Sequence, residues 1–215
     1  MRTREVNNVF ISRVEIPWNT ARNPYDIHRL LWRLFPGEPR EVRRTNEEER
    51  QGFLFRIEKH QPGYPARVLV QSRRRPESAA NMPVVGCREF NPNPANGQRL
   101  AFLLTANPIK TITDEQLASK PDKKSEKCRV PLLKEEEQLG WLSRKLTGVA
   151  DIESSTVLPH QPLYFRKGNR GGKLLAVTFE GVLKVCDESA LLKHLANGIG
   201  PAKGFGCGLM LVRRV

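Results

Sequence analysis

Residues 9–35 read VFISRVEIPWNTARNPYDIHRLLWRLF, and the change of period inside this stretch decides the fold. VFISRVEI (9–16) alternates apolar and polar residues in the manner of a half-buried strand. Beyond Pro17 and the Asn23-Pro24 pair the spacing becomes helical. At about 100° per residue, Leu30, Leu31 and Leu34 fall within roughly 60° of Ile27, which makes one apolar stripe. Tyr25, His28 and Trp32 gather at about 100 to 160° on the same wheel, beside the stripe. A single histidine at such a boundary is ordinarily structural, so its meaning has to come from the rest of the chain.

Working outward, GFLFRIE (52–58) and RVLVQS (67–72) are strand candidates separated by the turn-rich HQPGYP. Residues 76–98 are rich in Pro and Asn, contain no convincing helix, and precede the strand QRLAFLLTA. The order strand, helix, strand, strand, weak element, strand is that of a ferredoxin-like half. We therefore expect an N-terminal ferredoxin-like domain over 1–106 that carries the Tyr25/His28 helix. Residues 107–130, polar and dense in lysine, should be a basic linker or exposed hairpin. A second domain over 131–215 repeats the element order. Its parts are a helix in LLKEEEQLGWLSRKLTG with Gly148 as cap, strands in LYFRK and KLLAVTFEGVLKV, a helix in ESALLKHLANG capped by Gly198, and a last strand GLMLVRR. The fold class is α+β.

The chain of 215 residues has 36 Lys plus Arg against 23 Asp plus Glu, a formal charge of +13 and a pI near 10. Such an excess favours a polyanionic partner, nucleic acid first, over a neutral metabolite. A membrane partner is not expected, since there is no run of about 18 apolar residues. MRTREVNN at the start has no apolar segment after its charges, which suggests a cytoplasmic protein. Cys87, Cys128, Cys186 and Cys207 show no metal-binding spacing and are read as reduced thiols acting as small apolar residues.

Three motifs bear on chemistry. GIGPAKGFGCG (198–208) has five glycines in eleven residues but follows a helix and leads into a strand, the reverse of a dinucleotide fingerprint. Lys203 is followed by Gly204 with no Ser or Thr for magnesium, so it is not a nucleotide-triphosphate loop either. It suits a loop whose exposed amides and lysine approach a backbone phosphate. The acidic runs NEEER and KEEEQ would splay on a helix by about 100° per residue and cannot converge on a metal ion. FRKGNRGGKL (165–174) sets Arg166, Lys167, Arg170 and Lys173 around a turn between two strands, a hairpin tip suited to a polyanion.

Several stretches together resemble the CasE-type CRISPR RNA-processing endoribonucleases of type I-E systems. They are ISRVEI with NPYDIH, RLAFLLTANPIKT, CRVPLLKEEEQLGWLSRKL, VTFEGVL and GIGPAKGFGCGLM, in order over most of the chain. The first eight residues and much of 37–50 and 73–98 carry no match. The resemblance implies two tandem ferredoxin-like domains. It also implies metal-independent cutting of CRISPR repeat RNA at the base of its stem-loop, leaving a 2′,3′-cyclic phosphate and a 5′-hydroxyl. It implies further that the enzyme, a monomer when free and without cofactor, keeps the hairpin and joins the Cascade complex. The family's catalytic Tyr and His fall on Tyr25 and His28. Some relatives carry a lysine at the place of Arg33, so Arg33 is a candidate for the transition-state phosphate, with Lys203 as the alternative. Arg29, Lys110, Arg166, Lys167, Arg170, Lys173, Gly200 and Gly204 are the expected RNA-binding positions. The chemistry agrees: attack by a ribose 2′-hydroxyl needs one proton removed, one delivered, and negative charge neutralised. Histidine and tyrosine one turn apart supply groups for this, His28 as acid or as base. The competing reading is a catalytically silent subunit that only caps a guide RNA.

Overall fold

The computed structural model describes residues 9–37, 52–113, 127–159 and 162–215. NEEER, the first eight residues and residues 114–126 of the lysine-rich segment lie outside them. The alternating run forms β1 (Phe10–Ile16), followed by a single-turn helix α1 (Trp18–Ala21) and then α2 (Pro24–Leu31). Helix α2 starts where it does because the Asn23 side chain accepts a hydrogen bond from Tyr25 N at 3.3 Å. Pro24 occupies the first helical position, where a missing N–H costs nothing. The helix tightens into a 3-10 turn, Trp32–Leu34, before Pro36-Gly37. The expected stripe is core: Ile27, Leu31 and Leu34 are fully buried and Leu30 nearly so. They pack against Val14, Ile16, Phe55, Val68 and Val70, and each such side chain contributes about 1.5–3 kcal/mol of burial.

After α2 come β2 (Phe53–Lys59), β3 (Ala66–Ser72) and β4 (Val84–Glu89). The chain continues through β5 (Arg99–Ala106), β6 (Ile109–Thr113), β7 (Lys127–Pro131) and α3 (Glu135–Leu146). It ends with β8 (Ala150–Leu158), β9 (Leu163–Lys167), β10 (Arg170–Leu174), β11 (Val177–Val185), α4 (Glu188–Asn197) and β12 (Met210–Arg214). The first sheet has the order β2-β3-β1-β4 and the second β12-β5-β11-β8, both antiparallel throughout. Both are the ferredoxin-like order, in which the first and third strands of each half lie in the centre. In the first half an irregular segment replaces the second helix, and Met82 fills the core beneath it.

One expected boundary is corrected by the strand pairing. Residues 99–106, taken to close a domain over 1–106, open the second half: β5 lies between β11 and β12. Leu100, Phe102, Leu104 and Ala106 alternate into the core formed with Trp141, Leu142, Leu191 and Leu195 of α3 and α4. The first sheet is completed instead by β4, in the Pro- and Asn-rich segment where the sequence shows only a weak element. Strand β8, absent from the sequence reading, is polar over DIESSTV because much of its length is exposed. The segment after β5 does provide hairpin arms, β6 and β7, paired from Ile109↔Pro131 to Thr113↔Lys127.

The halves meet through Ile11, Leu54 and Leu69 of the first sheet and Leu209, with Phe90 and Leu211 against them. Beside this seam Gln71 Nε2 donates to the Leu195 carbonyl at 2.7 Å, a buried bond from β3 to α4. Of the four cysteines, all free thiols, only Cys207 plays the small apolar part expected of them; Cys128 and Cys186 are exposed and Cys87 half-buried. Burial pushes the Cys207 thiol up to about 12. Among the described residues no helix is long and apolar enough to cross a membrane.

Candidate active site

The flank of α2 that carries Tyr25, His28 and Trp32 divides on folding. Trp32 is 9% exposed and belongs to the core, edge-on to Phe53 at 4.9 Å between ring centroids. Gly52 leaves the indole its space, since a Cβ there would come within 2.5 Å of Trp32 Cη2. Trp32 therefore does not crowd the site; it supports it. Half-buried His28 rests on an aromatic floor, its ring 5.3 Å from Phe53, 6.1 Å from Phe55 and 6.0 Å from Trp32. Tyr25, 36% exposed, stands at the open edge.

Two segments remote in sequence close around this pair. The first is the β9–β10 hairpin. Asn23 Nδ2 donates to the Arg166 carbonyl at 2.8 Å, and Arg166 N donates back to Asn23 Oδ1 at 3.1 Å. The same amide caps α2 and donates to Asp26 at 2.9 Å, while Asp26 also accepts from Arg29 at 2.9 Å. Phe165 stacks near Tyr25 at 6.2 Å between centroids, and Lys167 Nζ lies 5.8 Å from the Tyr25 ring centroid. Gly172, paired across from Phe165, is a glycine for this reason: a Cβ would run into the Phe165 ring.

The second segment is the glycine-rich loop, whose 3-10 turn Lys203–Phe205 packs on α2. Phe205 lies 5.9 Å from Tyr25 and 4.6 Å from Phe165, so three rings form one cluster. Gly204 faces His28, where a Cβ would sit 4.0 Å from the imidazole Cγ. The loop is less open than its composition suggests, since Gly206, Cys207 and Gly208 are buried. Gly200, at φ +80°, leaves room for Trp141, whose ring a Cβ would approach to 2.8 Å.

Among the expected site residues, Tyr25, His28, Lys167 and Gly204 are thus brought together. Arg166 is joined to them through its backbone. Arg33 is exposed on the 3-10 turn after α2. Arg170 pairs with Lys167 across the hairpin, and Lys173 Nζ lies 5.9 Å from the Tyr164 ring centroid. Lys203 lines a separate cavity with Lys145 and Lys193. Lys110 is elsewhere, on β6, where its Nζ meets Glu137 of α3 at 3.4 Å. The sequence reading missed Asn23, Phe165 and Phe205 as site residues. Asn23 signals a helix start, but nothing local in it announces a bond to Arg166. Among the described residues no group of three or more His, Cys, Asp and Glu could hold a metal ion.

The family model described as CRISPR associated protein matches residues 9–214, and the chain belongs to that family. It is 39% identical over 202 residues to the CRISPR system Cascade subunit CasE of Escherichia coli strain K12, covering 94% of this chain and 98% of that one. It is 33% identical over 207 residues to the CRISPR-associated endoribonuclease Cse3 of Thermus thermophilus, covering 88% and 90% respectively. The structure of Thermus thermophilus Cse3 bound to an RNA representing a pre-cleavage complex superposes with a TM-score of 0.72 at 29% identity, over 96% of this chain and 99% of that one.

Proposed function

We propose that this protein is a CRISPR RNA-processing endoribonuclease. It cuts repeat RNA at the base of its stem-loop, keeps the hairpin it has made, and enters the Cascade complex in the cytoplasm. The observation that carries this reading is the convergence of Tyr25 and His28, one turn apart on α2, with a basic hairpin held to the same helix by Asn23. Relatives named for Cascade membership and for endoribonuclease activity cover nearly the same length.

In this reading the 2′-hydroxyl at the cut attacks its own 3′-phosphate. The proton it loses and the proton gained by the departing 5′-oxygen are the two that acid–base catalysis must move. His28, on its aromatic floor, is the side chain suited to exchange a proton near neutral pH. Tyr25 holds its hydroxyl in place because Phe165 and Phe205 fix the ring, and that hydroxyl donates to the reacting ribose or phosphate. Negative charge on the phosphorane needs a cation. Lys167, beside Tyr25, joins Arg33 and Lys203 as a candidate for that role. Asp26, next to Tyr25 in the chain, is already engaged by Arg29 and Asn23, which favours a mechanism without metal.

The test is incubation of the purified protein with its cognate repeat RNA in EDTA. Cleavage persists there, leaves a 2′,3′-cyclic phosphate, and stops when the nucleotide 5′ of the cut carries 2′-deoxyribose. Binding without any cutting would assign the protein to guide-RNA capping alone, and activity restored only by magnesium or manganese would remove the 2′-hydroxyl mechanism.

A further inference from the structure

The β9–β10 hairpin has two faces, because side chains alternate along a strand. Phe165 and Lys167 turn to Tyr25, with the Phe165 centroid at 6.2 Å and Lys167 Nζ at 5.8 Å from its ring centroid. Tyr164 and Arg166 turn to the opposite face, where Lys173 and Gly171 are their partners across the hairpin. This outer face and the residues ahead of α2 border an open hollow of about 750 Å³, lined by Arg22, Asn23, Tyr164, Arg166, Gly171 and Lys173 among others. Its charges are of one sign. No carboxylate lines it, and Arg22, Arg166 and Lys173 make no ion pair among the described residues. Tyr164 is 67% exposed, with Lys173 Nζ over its ring at 5.9 Å from the centroid. Gly171 adds no side chain, and a Cβ there would meet nothing within 4 Å, so the space beside Arg166 is open. An exposed aromatic ring among cations is the combination that holds single-stranded nucleic acid: the ring stacks on a base and the cations follow the backbone.

We infer that this outer face binds one unpaired nucleotide flanking the stem, with its base stacked on Tyr164 and its phosphate held by Arg22, Arg166 and Lys173. The inference rests on the functional reading above and adds a binding site to it. Paired bases hide their faces inside the helical stack, so a lone aromatic ring reads a base that has left it. A cut at the base of the stem places such nucleotides beside Tyr25 and His28. Lys167 stands next to Tyr25, and Tyr164 is three residues away along the same strand, about 10 Å of β rise. The hollow also begins at Arg22 and Asn23, directly ahead of the helix that carries Tyr25 and His28. A phosphate at Tyr25 and Lys167 therefore has neighbouring nucleotides within reach of this face. The inner face of the hairpin serves the cut, and the outer face anchors the unpaired RNA next to it.

Three repeat RNAs test this, all with 2′-deoxyribose at the nucleotide 5′ of the cut so that they bind uncut. One is the bare stem-loop, one carries three unpaired nucleotides on its 5′ side, and one carries three on its 3′ side. Wild-type protein binds an extended RNA about tenfold more tightly than the bare stem-loop, and the side that gives the gain identifies the strand. Abasic residues in place of the flanking bases keep the phosphates and abolish the gain. Tyr164→Ala also loses it and keeps wild-type affinity for the bare stem-loop, which shows that it is folded. Tyr164→Phe, with its ring intact, retains it. No gain on either side in the wild type, or a gain that survives the abasic residues or Tyr164→Ala, overturns the inference. Failure of wild-type protein to bind even the bare stem-loop would instead remove the RNA reading on which it rests.

Discussion

The carboxamide of Asn23 pairs with both backbone polar groups of Arg166, at 2.8 and 3.1 Å, across 143 positions of sequence. One side chain therefore starts the helix that carries Tyr25 and His28 and also fixes the basic hairpin against it. On the proposed function, RNA bound to the hairpin is held in register with Tyr25 and His28 by these two bonds.

Asn23→Ser separates the two tasks. Serine caps a helix about as well as asparagine but gives up the amide's bonds to Arg166 and Asp26, so stability falls by about 1–2 kcal/mol in thermal or urea unfolding while the helix start is kept. It is too short to bond both groups of Arg166. Single-turnover cleavage at saturating protein therefore falls by about tenfold, and cleavage at the wild-type rate would show that the clamp has no part in positioning.

His28→Ala lowers single-turnover cleavage by roughly a hundredfold or more, the usual scale for an acid–base group, and leaves hairpin affinity within about threefold. Tyr25→Phe keeps the ring contacts with Phe165 and Phe205, loses only the hydroxyl, and costs less. Normal cutting by the histidine variant would return this flank to a structural role.

The hairpin cations divide by position. Sequence distance assigns Arg166, Lys167, Arg170 and Lys173 to binding alone, but Lys167 Nζ lies 5.8 Å from the Tyr25 ring centroid. Arg166→Ala weakens stem-loop binding and lowers the salt slope by up to roughly one unit, with cleavage at saturation unchanged. Lys167→Ala also slows cleavage at saturation. Equal behaviour of the two variants in that assay would contradict the assignment.

Gly200 and Gly204 differ in what a side chain would meet. Gly200→Ala places a Cβ 2.8 Å from Trp141 at a backbone φ of +80°, and destabilises the fold by about 1–3 kcal/mol. Gly204→Ala, with its Cβ 4.0 Å from His28, leaves stability within about 0.5 kcal/mol. Gly204→Leu folds but covers the imidazole and suppresses cleavage. Unfolding midpoints and single-turnover rates on the same samples distinguish these outcomes.

Cys207, buried and with its thiol pushed up to about 12, stays protonated at pH 8 and resists alkylation in the native protein. Exposed Cys128 and Cys186 react. Mass spectrometry of protein treated before and after unfolding reads the difference, and rapid native labelling of Cys207 would mean that the buried end of the glycine-rich loop opens.

The sequence by itself determined the local elements: the strand at 10–16, the α2 stripe from Ile27 to Leu34, and the neighbouring Tyr25 and His28 on its flank. Periodicity states which face of an element is buried, and α2 is long enough for that pattern to be unambiguous. The resemblance then gave the flank its chemical meaning. Tertiary structure alone decided that β5 belongs to the second sheet, because backbone donors and acceptors along a strand are the same for every sequence and do not name their partner. The same holds for the clamp between Asn23 and Arg166, and for Lys167 beside Tyr25. An apolar pattern encodes that a face must be covered, but which surface covers it is settled only when the whole chain packs, and the candidate site lies where those surfaces meet.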